Sequence, residues 1–259
     1  MVTAIGLALL FVFGLAIGSF MTVVAARVPA GESVVRPRSR CPECNAEIRN
    51  RDNIPVIGWL LLRGRCRSCG STISIRYPIL ELTTAVLIVA PFLVYDDPWV
   101  AVAVSALLAL MPVISAIDIE RRIIPNRIVY PALIAFPVYL VVAKLAGGDV
   151  DLVGMALGFV LYGGGLFVVA LVSRGMGMGD VKLAALIGLV LGAIGLSLVG
   201  VAAGAAIVVG GVAAVVALAR GVGRKGALPF GPALAAGAVI AALWGPQIAD
   251  WYGRTILHA

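Results

Sequence analysis

The sequence predicts an all-α membrane protein: a polytopic helical bundle of about eight transmembrane helices with a small cytoplasmic, zinc-ribbon-like insert. Three observations carry that reading. Of 259 residues, 61% are hydrophobic and only 13% are charged, against about 25% charged in a soluble domain. Several apolar runs exceed the roughly 18 residues that mark a spanning helix. Of the 20 lysines and arginines, 18 sort into alternate loops, as orientation by cytoplasmic cations requires. A soluble domain and a disordered chain are thereby excluded. The 31 glycines follow no G-X-Y period, which excludes collagen.

The elements follow in order. Residues 2–26 are apolar and uncharged. They lack a basic n-region and are too long for the h-region of a signal peptide, so they read as a retained first helix. Residues 27–78 form the one long polar stretch. Further apolar segments fall at 79–95, 99–117, 128–146, 152–172, 182–197, 199–219 and 227–245. The run 182–219 is too long for one helix and is divided near Ser197. The cation-rich loops are 27–78, 118–127, 173–182 and 220–226, and the opposite side holds only Lys144 and Arg254. The basic loops are therefore assigned to the cytoplasm. Tyr95, Trp99, Trp244, Trp251 and Tyr252 gather at the opposite face, as an aromatic belt does. The net charge of +7 is then a topology signal that also meets anionic headgroups of the lipid bilayer, and no nucleic-acid partner is expected.

All four cysteines lie in the insert, as Cys41-Pro-Glu-Cys44 and Cys66-Arg-Ser-Cys69. Two C-x-x-C knuckles of this kind suit a closed four-thiolate zinc site. A metal would stabilise a segment too polar to build its own core. Two other readings stand beside it. Disulfides disagree with a reducing compartment, and a thioredoxin-type redox pair needs a single C-x-x-C in a soluble βαβ setting.

The only histidine is His258. That argues against a Ser-His-Asp triad and excludes an H-E-x-x-H site. If the protein is a hydrolase, carboxylates or cysteines must do the work. Asp118 ends the third span and Asp180 precedes the sixth, both on the cytoplasmic side. Ionisable groups at membrane depth are costly and usually functional. Asp180 ends the run Gly175-Met-Gly177-Met-Gly179, whose glycines permit irregular backbone that could hold an extended substrate. Two close carboxylates share a proton, one activating water and the other protonating the scissile carbonyl. From helix dipoles, Asp118 at a helix C-terminus is expected to keep the proton and Asp180, before a helix N-terminus, to be the base. Glu81 reads either as a ligand for cations or the methyl donor or as a polar bundle contact. Lys182 reads either as a countercharge for Asp180 or as a snorkelling lysine. Pro125 and Pro232 read as shapers of helix ends.

Taken together, Gly18-Ser19-Phe20, Arg27-Val28-Pro29, the two cysteine pairs, Asn53-Ile54-Pro55, Arg76-Tyr77-Pro78 with Glu81, Asp118 with Ile124-Pro125-Asn126, Gly177-Met178-Gly179-Asp180-Val181-Lys182 and Pro229-Phe230-Gly231-Pro232 resemble the type IV prepilin peptidases, or prepilin leader peptidase/N-methyltransferases. The resemblance spans nearly the whole chain. It implies an aspartyl endopeptidase of the inner (cytoplasmic) membrane with Asp118 and Asp180 as its catalytic pair. The substrate would be a type IV prepilin or pseudopilin, cut at the cytoplasmic face. It also implies zinc on Cys41, Cys44, Cys66 and Cys69, and methylation of the new N-terminus with S-adenosylmethionine. The expected parts are residues 1–26 as first helix, 27–78 as zinc-binding insert and candidate methyltransferase region, and 79–259 as peptidase bundle. The alternatives are a peptidase without methyltransferase activity, a proton-coupled transporter using the two aspartates as a relay, and a zinc-bearing membrane anchor without enzymatic activity.

Overall fold

The structure is a computed structural model that describes residues 3–173, 176–221 and 229–257. Gly175 and His258 lie outside the described residues. The chain divides into two compact units, Met1–Ala90 and Pro91–Ala259.

The first unit pairs α1 (Ala4–Arg27) with α3 (Arg76–Val89) around the polar insert. Helix α1 starts where Thr3 caps it, its hydroxyl accepting the Gly6 N–H at 3.2 Å. The two helices meet through small residues four apart. A Cβ on Gly14 would stand 2.7 Å from the Ala85 Cα, and one on Gly18 would stand 2.7 Å from the Glu81 Cα. This is the close backbone approach that a small-xxx-small face provides where lipid leaves no hydrophobic drive between helices. The insert contributes a 3₁₀ turn (Asn50–Asn53) and the short α2 (Ile57–Leu61). Its antiparallel bridges join Arg40 to Glu47 and Arg65 to Thr72.

The second unit is the helical bundle. Short α4 (Pro91–Val94) precedes α5 (Pro98–Arg121). Asp97 caps α5, accepting the Trp99 N–H at 2.7 Å, and Pro98 opens the helix. Next come α6 (Asn126–Leu145), α7 (Leu152–Gly158), a π-helical stretch (Phe159–Gly164), α8 (Gly165–Ser173), α9 (Met178–Gly192), α10 (Leu196–Ala219) and α11 (Gly231–Tyr252). A π turn, Gly253–Leu257, follows. The core sits on α5, α9 and α11, which hold Leu107, Met111, Ile114, Leu186, Ile187 and Leu234 out of all contact with the surroundings. Glycines set the α7–α9 distance: Cβ atoms added at Gly154 and Gly158 would strike the carbonyls of Gly192 and Gly188.

Among the described residues seven helices are long and apolar enough to span a membrane, so this is a multi-pass membrane protein. The segment expected as the sixth span differs. It starts earlier, at Met178, and ends at Gly192 after 15 residues, about 22 Å against a hydrocarbon core of about 30 Å. The break from α10 falls at Gly195, just before Ser197. From Leu183 to Gly192 every residue of α9 is buried. It is lined by protein, so lipid thickness does not set its length.

Candidate active site and metal centre

Asp118 lies in the last turn of α5 and is 5% exposed. Its Oδ2 accepts the backbone N–H of Gly231 at 2.8 Å. Gly231 is the first residue of α11, followed by Pro232. First-turn N–H groups have no partner within their own helix, so a carboxylate from another helix can cap one. Only glycine leaves room for it, because a Cβ at Gly231 would stand 2.7 Å from that Oδ2. Phe230 packs on α10, where a Cβ at Gly210 would meet its ring at 2.8 Å.

Asp180 is half-buried in the first turn of α9, its N–H donating to the Gly177 carbonyl at 3.1 Å. It stands within electrostatic range of Asp118. The glycines here differ from the irregular loop that the sequence suggests. Gly177 is the extended cap of α9 at φ −73°, and Gly179 is already helical. Their need is space: a Cβ at Gly179 would lie 3.0 Å from the Ile124 side chain, and one at Gly177 would lie 3.4 Å from the Asp180 Oδ2. Lys182 turns to α6, donating to the Asn126 Oδ1 at 2.9 Å and standing 4.8 Å over the Tyr130 ring. No Asp180–Lys182 ion pair forms among the described residues. The end of α5 and the starts of α6, α9 and α11 thus meet around two carboxylates.

In the first unit the four cysteines are free thiols. Their sulfurs all lie within 4.8 Å of one another, with Cys41 and Cys69 at 3.9 Å. A tetrahedral ion with metal–sulfur bonds of about 2.3 Å would space them by about 3.8 Å, so the cluster fits a metal ion. The two knuckles repeat one backbone design. The N–H of Asn45 bonds to the Cys41 carbonyl, and that of Gly70 to the Cys66 carbonyl, both at 2.9 Å. Asn45 and Gly70 both take positive φ, 60° and 73°, a conformation open to Asn and Gly. Ser71 approaches two of the sulfurs, at 3.1 Å from Cys69 and 3.6 Å from Cys41, a supporting contact of the kind that orients metal ligands. Backbone N–H groups, that of Cys44 foremost, and the Ser71 hydroxyl hold the Cys41 thiol down at about 6.

Glu81, left open by the sequence, is 7% exposed, and its Oε2 accepts the Val56 N–H at 2.7 Å. Nearby Asp52 is forked by Arg67 at 2.8 and 2.7 Å, and the guanidinium holds its carboxyl below the usual carboxylate range. Two backbone donors escaped the sequence reading, although Gly231 stands in one of its motifs. Gly231 carried a visible signal, a Gly-Pro pair that opens a helix, but nothing in the sequence named its target. Val56 carried none.

Comparison with known proteins follows the same division. A family model described as "Bacterial Peptidase A24 N-terminal domain" matches residues 12–95, and one described as "Type IV leader peptidase family" matches residues 105–215. The prepilin leader peptidase/N-methyltransferase of Bacillus subtilis is 33% identical, over 97% of this chain and 99% of that protein. Proteins of the same name from Aeromonas salmonicida and Aeromonas hydrophila are 32% and 33% identical, over 96% and 94% of this chain and 94% and 92% of theirs. No solved structure matches the chain.

Proposed function

We propose that this chain, which belongs to the type IV leader peptidase family, removes the leader of type IV prepilins or pseudopilins and methylates the amine so exposed. One observation carries the peptidase reading: a buried Asp118, tied to the Gly231 N–H, in the last turn of α5, which packs on α9, the helix whose first turn holds Asp180. Asp118 and Asp180 are the catalytic pair. The sequence alone assigns the proton to Asp118, but the Gly231 N–H and the N-terminal end of α11 both stabilise negative charge there. Asp118 is therefore the base that takes a proton from water while Asp180 protonates the scissile carbonyl; Asp118 then passes that proton to the departing amine as Asp180 recovers one from the collapsing gem-diol. The pair shares a single proton and titrates as a unit.

Gly177 leaves the space beside the Asp180 carboxylate clear for a substrate backbone, whereas the room beside Gly179 is taken by Ile124. The cation-rich loops orient the chain so that cleavage occurs at the cytoplasmic face of the inner membrane. Cys41, Cys44, Cys66 and Cys69 hold zinc in a closed site that supports the insert and leaves no position for water. S-adenosylmethionine, when bound, supplies the methyl group that the new N-terminal amine accepts.

Product mass tests both activities at once. Purified protein and a prepilin, with S-adenosylmethionine, should yield a shortened and methylated pilin. Asp118→Asn and Asp180→Asn should each lower cleavage by about a thousandfold or more. Cleavage that survives either substitution refutes the aspartyl mechanism, and a product that is cut but never methylated restricts the protein to peptidase activity.

A further inference from the structure

The first unit encloses a cavity of about 400 Å³ whose lining residues all lie between Ser19 and Glu81. Small-molecule sites commonly measure about 300–1,000 Å³. We propose that this cavity is the binding site of the methyl donor, with Glu81 as the anionic anchor for the donor's positive charge. The inference rests on the methyltransferase reading above.

Four features point to it. Thr22 of α1, Trp59 of α2, Tyr77 and Glu81 of α3, and Cys41 and Cys66 of the knuckles all contribute to the wall. Glu81 is the buried acid of that wall whose charge is unanswered. Asp52 is paired with Arg67, Glu47 with Arg38 at 2.8 Å, and Glu43 is exposed to solvent. Among the described residues no cation reaches Glu81. One backbone N–H compensates a buried carboxylate only in part, and a cationic ligand would supply the missing countercharge.

The second feature is how Glu81 is held. Val56, its N–H donor, has φ 61° and ψ −51°. The Ile57 N–H bonds back to the Pro55 carbonyl at 2.6 Å, which makes Val56 the centre of a γ-turn of the rare, strained positive-φ form. A β-branched residue is among the least suited to that conformation. Strain of this kind persists where surrounding structure imposes it, and it clusters at ligand sites. Here it aims one N–H at one carboxylate oxygen. Thirdly, Gly18 brings the α1 backbone against the Glu81 backbone, so the anchor sits on two packed helices rather than on a loop.

The fourth feature is the match of chemistry. A sulfonium donor with an amino-acid tail carries two cationic groups beside a flat adenine ring. The Trp59 indole N–H is already committed to the Ile73 carbonyl at 3.0 Å, which leaves its ring as a flat apolar surface. Tyr77 supplies a second ring. An anion and aromatic faces around one cavity suit such a ligand.

The test uses the full chain in detergent or nanodiscs and S-adenosylmethionine without prepilin. Wild type should bind it, and Glu81→Gln should weaken binding by about tenfold or more, with Glu81→Asp recovering part of the loss. Prepilin cleavage by the same preparations should persist, which shows that the variants fold. Ultraviolet cross-linking of radiolabelled donor to wild type needs no variant, and the label should map within residues 19–81. Glu81→Gln that binds and methylates like wild type, or a label that maps to residues 91–259, overturns the proposal while the methyltransferase reading stands. Wild type that binds only in the presence of a prepilin amine would also overturn it, since the cavity would then be the acceptor's. A wild type that neither binds donor nor methylates prepilin removes the reading beneath it.

Discussion

Glu81 in the first unit and Asp118 in the second solve one problem by opposite means. Each is a carboxylate less than one-tenth exposed, and each takes one backbone N–H, from Val56 at 2.7 Å and from Gly231 at 2.8 Å. In the second unit the donor comes at little cost. Gly231 opens a helix, where an unpaired N–H is available by construction, and a large apolar core holds α5 and α11 in place. In the first unit the donor is a valine bent to positive φ. The insert has almost no core, since Cys41, Gly58, Gly64 and Pro78 are its buried residues from position 27 to 78. Rigid geometry there must come from turns and from the four thiols. Where packing is plentiful, a carboxylate is placed by helix ends. Where it is scarce, local strain and metal ligation take over.

Three experiments bear on that contrast. The largest effect should follow loss of the metal site. Cys41→Ser with Cys66→Ser, or chelation, should make proteolysis between residues 27 and 78 about a hundredfold faster or more, while fragments from residues 91–259 remain protected. Mass spectrometry of limited digests reads both. Equal loss of protection in the two units would mean that the knuckles do not stabilise the first unit separately. Next is Gly231→Ala, which places a methyl group 2.7 Å from the Asp118 carboxylate. Loss of a hydrogen bond to a charged group costs about 1.5–3 kcal/mol, so kcat should fall roughly ten- to a hundredfold. The acidic limb of the pH profile should also move to higher pH, because the base loses the donor that stabilises its charge. An unmoved limb would return the base role to Asp180. The smallest effect is expected from Val56→Gly, which keeps the N–H to Glu81 and relieves the strained φ. The first unit should gain up to about 1 kcal/mol, read as a rise in its melting temperature. A fall would mean that the valine side chain contributes more than its strain costs.

Much of the architecture was legible because membrane constraints act locally. Long apolar runs located the helices, and Thr3, Asp97 and Asp151 stand at helix starts where short polar caps are favoured. The cysteine spacing anticipated a single cluster of four sulfurs. Three features were not legible, each for a stated reason. The short α9 depends on its neighbours, because only burial inside protein frees a helix from the thickness of the bilayer. The glycines before Asp180 look in sequence like a loop, whereas Gly179 is helical and is small to admit Ile124. Lys182 is two residues from Asp180, yet it reaches Asn126 and Tyr130, because residues two apart on a helix do not face one another.

By itself the sequence determined the class of molecule, the order of its helices, the clustering of its thiols and the aspartates worth testing. Those follow from hydropathy, from local spacing and from the rarity of charge in an apolar chain. Tertiary structure alone decided what the buried carboxylates touch. The Gly231 N–H reaches Asp118 across 113 positions, and the Val56 N–H reaches Glu81 across 25. A backbone N–H has no side-chain identity, so no residue type announces it. Only the fold can say which of many equivalent N–H groups meets a given acid.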